Sequence, residues 1–207
     1  MEISYFEEIK RKLVHLSSLW MVAATLLLPG CHRYAAAVIF AALLLLTLVS
    51  EHDYANGGKY LGKLYGKLFG KMLRAEVKPG QWIVSGGAPV LAAALAVNII
   101  FPPLIAAVAL TVMLTGDAAA ALVGRKFGRH KTVNGKSLEG FASFIIAGFA
   151  ASAAVLAMTG AGGRFYIFTL AGVILAAVAE LFQKQLKVDD NFSIPLCVGI
   201  VLSLALL

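Results

Sequence analysis

Seven apolar runs divide the chain, at 13–28, 34–50, 82–100, 104–123, 140–159, 165–182 and 192–207. Each is close to the ~20 residues that cross a bilayer as helix. They predict an all-α, polytopic transmembrane helical bundle of about seven spans, built as a single domain from residue 1 to residue 207. The first and last runs are short, about 24 Å at the helical rise, so the seventh has the weakest claim to a full crossing. Composition agrees with the pattern: 60% of residues are hydrophobic and 14% charged, with a mean hydropathy of +0.85. These values place the chain among integral membrane proteins. No linker-like composition or charge block marks a second domain, and nucleic acid is not an expected partner. Cys31 and Cys197 fall toward opposite membrane faces in this topology and are expected to be free thiols.

Lys and Arg set the orientation. Three lie in the N-terminal segment, six in 59–78, five in 125–136 and two in 184–187, whereas the alternate connections hold only Arg33 and Arg164. The N-terminus is therefore expected in the cytosol and, with seven spans, the C-terminus outside. The opening KRKLVHLSSLWMVAATLLLPGC also has the form of a secretory signal. Pro29 beside the supposed cleavage point and six further apolar runs favour a retained first span.

Between the second and third runs, GKYLGKLYGKLFGKMLR repeats Gly-Lys every four residues. As a helix it aligns Lys59, Lys63, Lys67 and Lys71 in one stripe beside Tyr60, Leu61, Leu64, Tyr65, Leu68 and Phe69. That pattern suits an amphipathic helix in the membrane interface, with anionic lipids as partners of the basic 59–78 segment. Its glycines each cost about 1 kcal/mol of helix propensity against Ala, so lipid or the bundle is expected to order it. Some of these lysines, or Arg74, are also candidates to face a nucleotide phosphate.

Ionisable residues inside the bilayer are costly, and tend to be functional or paired. Asp117 lies seven residues before Gly124, about 10 Å below the interface at the helical rise. Gly116, Ala120 and Gly124 form a small-residue stripe that lets another helix approach, so Asp117 should point into the bundle. An ion pair with Arg11, Lys12 or Arg125 would explain its burial; so would a catalytic or metal-linked role. Other polar residues are expected at the same level: Arg11, Lys12 and His15; Glu51, His52 and Asp53; Lys136, Ser137 and Glu139; Glu180; and Asp189, Asp190 and Asn191. Taken singly, they have ordinary explanations: snorkelling for Arg11 and Lys12, an i,i+4 pair of Glu180 with Lys184, a helix cap at Asp190 or Asn191. Their common depth does not follow from these.

The outer half of every span lacks Asp, Glu, Lys and Arg, whereas a transporter needs polar groups near the midplane and an exit on each side. Carboxylates for Mg²⁺ beside cations for phosphates, at one membrane edge, suit a reaction between a soluble nucleotide and a lipid. The stretch GRHKTVNGKS ends like a P-loop, but His130 stands where the first glycine should be and no strand precedes it. A Gly, Lys and Ser loop can still bind phosphate, with Ser137 helping at a helix N-terminus.

The block GDAAAALVGRKFGRHKTVNGKSLEG, with RKLVH at 11–15, LR at 73–74, Glu180 and DDNFSIP at 189–195, resembles the polyprenol kinase family. That family includes dolichol kinase, phytol kinase and the CTP-dependent diacylglycerol kinase. The likeness runs from about Arg11 to Pro195. A related block occurs in CDP-diacylglycerol synthases; the RKxxH start, the DDNxxxP ending and the absence of the synthases' HGG and DR elements favour the kinases. The resemblance implies transfer of the γ-phosphoryl of CTP, with Mg²⁺, to the hydroxyl of an isoprenoid alcohol or diacylglycerol at the cytosolic membrane face. Asp117, Lys136, Ser137, Glu139, Glu180, Asp190 and Asn191 match the family's motif positions.

On that footing Glu139, Glu180, Asp190 and Asn191 are the candidate Mg²⁺ ligands. Arg125, Lys136, Ser137 and Arg74 are the candidate triphosphate contacts. Asp117, with Glu139 and Glu180, is a candidate catalytic residue, either accepting the hydroxyl proton or ligating the metal. Arg11, Lys12 and His15 are further polar candidates. The alternatives are a CDP-lipid synthase-like cytidylyltransferase and, from another class, a transporter or scaffold.

Overall fold

The computed structural model describes residues 5–30, 32, 34–58, 61–69 and 87–207. Every apolar run within these residues is helical, and no strand occurs among them, only one isolated bridge between Lys131 and Ser137. The helices are α1 (Tyr5–Ser17), α2 (Trp20–Leu27), α3 (Ala35–Ala55), α4 (Leu61–Phe69), α5 (Gly87–Ile100), α6 (Pro103–Phe127), α7 (Leu138–Met158), α8 (Gly163–Leu181), α9 (Gln183–Leu186) and α10 (Asp190–Ser203). Among the described residues, short 3-10 turns occur at Leu28–Gly30, Val133–Gly135 and Leu204–Leu206. Arg74, Cys31, and the basic segment beyond Phe69 lie outside the described residues, as does the start of the 82–100 run.

Among the described residues, five helical stretches are long and apolar enough to span: Tyr5–Gly30, α3, α6, α7 and α8. Two shorter apolar helices, α5 and Asp190–Leu206, complete the seven apolar runs. The latter is about 27 Å long against a ~30 Å hydrocarbon core. The first span begins earlier than its apolar run. Helix α1 already starts at Tyr5, and i→i−3 bonds from Ser18, Leu19, Met21 and Val22 carry the chain into α2.

The helix α1 is turned inside out relative to a helix of a soluble protein. Glu8 and Lys12 are buried while Phe6, Leu13 and Val14 are exposed, which is the arrangement a lipid solvent favours. Leu45, Ile146, Ile167 and Ile200 extend this apolar exterior to other spans.

The helix α6 is the axis of the bundle. Apolar on all sides from Ile105 to Leu114, it is buried there on all sides, and it meets α1, α2, α5, α7 and α10. Its most extensive contact is with α7, along facing small residues. A Cβ on Gly140 would stand 3.0 Å from the Ala120 carbonyl oxygen and 3.3 Å from Gly124 Cα; one on Gly116 would meet the Phe144 ring at 3.0 Å. The stripe read at Gly116, Ala120 and Gly124 is therefore the seam on which α7 sits, the close approach by which membrane helices gain van der Waals contact.

The glycines before the third run have a similar role. A Cβ on Gly62 would lie 2.6 Å from the Tyr54 amide nitrogen, and one on Gly66 would overlap the Tyr54 ring. They let α4 lie on the end of α3, where Gly62 N–H donates to Asp53 Oδ2 (2.7 Å) and the buried Tyr65 hydroxyl donates to Glu51 Oε1 (3.2 Å). What these glycines lose in propensity is offset by this packing.

Gly140→Leu should open the α6–α7 seam and destabilise the protein by about 1–3 kcal/mol, the usual cost of overpacking. Gly163→Ala, at a position with open space around it, should leave thermal unfolding in detergent within experimental scatter of the parent. Equal melting of both variants would contradict the seam.

Candidate active site

Burial of Asp117 is answered by Lys12. The Lys12 ammonium lies 2.5 Å from Asp117 Oδ2, with the two side chains 5% and 15% exposed. His15, one turn further along α1, places Nε2 3.3 Å from the same oxygen. A lone charge in a membrane helix costs about 2.5–3.5 kcal/mol on insertion scales, and opposite charges in contact offset much of that desolvation. Sequence left open a pair with Arg11, Lys12 or Arg125, and Lys12 is the partner found.

A second pair of opposite polarity joins the same helices nearer the basic face. Glu8, buried at the start of α1, contacts Arg11 three residues on and Arg125 at 3.8 Å. So α1 presents an acid then a base, and α6 a base then an acid, a pattern that fixes the register of the two helices. Glu8 was not among the sequence candidates. Its signal was present: Glu8, Lys12 and His15 fall at i, i+4 and i+7, one face of a helix.

The 128–137 connection brings in the other members. Its chain folds back on itself: Thr132 N–H donates to the Lys136 carbonyl, Leu138 N–H to that of His130. The bend is made by Asn134 at φ 62° and Gly135 at φ 77°, left-handed conformations that Asn and Gly tolerate best. Asn134 then reaches across to α8, donating to the Leu181 carbonyl (2.7 Å) and to Gln185 Oε1 (2.7 Å), and Gln185 Nε2 returns a bond of 3.2 Å. This latch places the Lys136 ammonium 2.6 Å from Glu180 Oε1 and against the Glu180 carbonyl. Glu180 is thus paired with Lys136 across the bundle, and Lys184 belongs to α9 beyond the end of α8. The fold is that of a latched turn; the P-loop ending does not wrap a phosphate cradle.

Ser137 is buried and caps α7, its hydroxyl accepting from Gly140 N–H at 3.2 Å. Gly124 and Gly128 pack against that hydroxyl, so its packing explains why two glycines face it. Glu139 turns to His130, with the His130 Nδ1 2.7 Å away and the His130 N–H donating at 3.2 Å. The last helix begins at Asp190, capped by Asp189, whose carboxylate accepts from Asn191 N–H at 2.9 Å. Asn191 also donates its side-chain amide to Asp189 Oδ1 at 2.7 Å. The cap is Asp189 in place of Asp190 or Asn191. Pro195 falls in the second turn as a result, so the Asn191 carbonyl lacks the usual amide four residues on.

The candidates therefore sort by geometry. Lys12 and His15 meet Asp117, and Lys136 meets Glu180; the charges of Asp117, Lys12 and Lys136 are also felt at Asp190. Arg11 and Arg125 lie at the rim of this group through Glu8. Glu139 and Asn191 are held by His130 and Asp189, and Arg74 lies outside the described residues. Among the described residues, no three His, Cys, Asp or Glu side chains converge as a ready-made metal cage. Toward the other end of the bundle, the buried Asn98 amide donates to Thr25 Oγ1 at 3.1 Å. The arrangement is one-sided: paired carboxylates and ammonium groups beneath an exposed rim of Arg125, Lys126, Arg129 and Lys131.

Comparison with known proteins adds chemistry to this geometry. The chain is 36% identical to a phytol kinase of Synechocystis over 97 residues, 45% of this chain and 41% of that protein. This similarity is partial. Over nearly the full length, 91% of this chain and 90% of the relative, it is 29% identical to an uncharacterized protein of Rickettsia prowazekii. No family model matches the chain, and neither does any solved structure.

Lys12→Met should destabilise the protein by about 3–5 kcal/mol, because it leaves Asp117 buried without its cation. The double change Lys12→Met with Asp117→Leu should recover most of that loss. Thermal unfolding in detergent reads both, and a double variant no better than the single would contradict the pairing.

Proposed function

We propose that this protein is a membrane-embedded lipid-alcohol kinase that transfers the γ-phosphoryl of CTP, with Mg²⁺, to the hydroxyl of an isoprenoid alcohol or diacylglycerol. The observation that carries the proposal is the buried Lys12–Asp117 pair, with the Lys136–Glu180 pair and Asp190 within its electrostatic reach. A lipid hydroxyl reaches that depth from the bilayer, and a nucleotide reaches the basic rim from water. The partial similarity to a phytol kinase supports the same chemistry.

In the reaction, the lipid oxygen bonds to the γ-phosphorus while the bond to the bridging oxygen of the β-phosphate breaks, releasing CDP. The hydroxyl proton passes to a carboxylate. Asp117 is the candidate acceptor: Lys12 and His15 both contact its Oδ2, and Oδ1 is the oxygen assigned to the hydroxyl proton. Lys12 then lies beside the transferring group, where a cation stabilises the charge that develops on the phosphoryl oxygens. Lys136 and Arg125 hold the triphosphate, Lys136 by exchanging part of its contact with Glu180 for phosphate oxygens.

Mg²⁺ is held commonly by one or two carboxylates together with substrate phosphates. Glu180 and Asp190 would be the carboxylates that hold it in that mode. A bound ion would supply charge neutralisation for the triphosphate. The catalytic face is assigned to the cytosol from the distribution of Lys and Arg.

The deciding assay supplies CTP labelled at either the γ or the α phosphorus to purified protein with Mg²⁺, lipid alcohols, diacylglycerol and phosphatidic acid. Label should enter lipid from the γ position; entry from the α position alone would convert the reading to a CDP-lipid synthase. The refolded pair Lys12→Met with Asp117→Leu should be stable yet transfer no phosphoryl, whereas turnover at the parental rate would make the pair structural only. Lys136→Ala should raise KM for CTP about 10–100-fold, as expected for one charge-assisted contact, and an unchanged KM would remove it from the nucleotide site.

A further inference from the structure

The helix α4 has three distinct faces. Gly62, Tyr65 and Gly66 face α3, where Asp53 accepts the Gly62 amide and Glu51 the Tyr65 hydroxyl. Leu61, Leu64 and Leu68 are exposed at 39%, 55% and 59% and, at 100° per residue, share one sector beside the docked face. Lys63 and Lys67, also exposed, fill the remaining sector. No Asp or Glu occurs in the sequence between Asp53 and Glu76. A docked face, an apolar face and a cationic face on one short helix leave two surfaces without a protein partner among the described residues.

We infer that α4 is an anionic-lipid contact surface, fixed to the end of α3 so that Leu61, Leu64 and Leu68 enter the acyl boundary and Lys63 and Lys67 meet phospholipid headgroups. The occupant is the headgroup layer of the surrounding bilayer, at the face where α3 ends. Charge complementarity selects it, since the cationic sector has no acidic neighbour on its own helix, and basic residues near an anionic membrane surface gain attraction that zwitterionic lipid does not provide. The anchoring matters as much as the charge. A nine-residue helix is marginal alone in water, and a short amphipathic segment ordinarily loses conformational freedom when lipid orders it. Here the glycine contacts with Tyr54 and the bonds donated to Asp53 and Glu51 order it beforehand. This inference does not depend on the reaction proposed above.

The test places an environment-sensitive fluorophore at Leu64→Cys in the full chain, with Cys31 and Cys197 changed to serine. The protein is reconstituted in nanodiscs of phosphatidylcholine with or without phosphatidylglycerol. Phosphatidylglycerol should shift the emission to the blue and increase quenching by brominated acyl chains. Both responses should be lost in Lys63→Gln with Lys67→Gln and weakened by salt. Identical emission in the two lipid mixtures, or a response that survives the double substitution, would overturn the inference. Because both lysines are exposed, the double variant is expected to fold, and phosphoryl transfer measured on the same samples separates its failure from failure of the kinase reading.

Discussion

One buried contact, Lys12 with Asp117, organises the charged end of this bundle. Without it α6, apolar around most of its circumference, would carry an uncompensated acid into the membrane, and α1 would carry an ammonium. With it, the two helices are joined at a defined depth. The Glu8–Arg125 contact adds a second point of opposite polarity, and two points suffice to fix a register along a helix pair. From this anchor the remaining groups follow in space: α7 rides on the α6 seam, and Ser137 caps α7. The loop before it carries Lys136 to Glu180.

The packing and the electrostatics are of different kinds, and each limits the other. Small residues at Gly116, Gly124 and Gly140 bring backbones close, which draws the charged side chains of α6 and of the loop before α7 toward one place. Such closeness leaves little room for water, so each carboxylate there is matched to a cation or to a hydrogen-bond donor. Asp117 takes Lys12 and Glu180 takes Lys136, while Glu139 meets His130 at the exposed surface. A polar cluster of this kind is costly in a membrane unless its members satisfy one another.

The bundle itself was legible because membrane solvent imposes long apolar helices, and these survive in any sequence window. Asp117 was legible for the same reason, as an acid where hydrocarbon should be. Its partner was narrowed only to three cations, since choosing among Arg11, Lys12 and Arg125 depends on the angle between α1 and α6. Glu8 was overlooked because it precedes the apolar run; only the helical spacing with Lys12 and His15 marks it. The Gly62 and Gly66 repeat read as a weakness of a helix, when its meaning lies in the neighbour, Tyr54. Asp189 as the cap of α10 and Asn134 as a latch both depend on contacts that sequence spacing does not encode.

The latch at Asn134 has a further consequence for recognition. A loop that closes on its own backbone, is tied to the end of α8 through Leu181 and Gln185, and leads into a capped helix has already lost most of its conformational freedom. Under the kinase proposal, a triphosphate meeting Lys136 would not need to order this loop, so less of the contact energy would be spent on ordering. Discrimination among ligands would, on that proposal, come from fit to a preformed surface, with little contribution from induced closure.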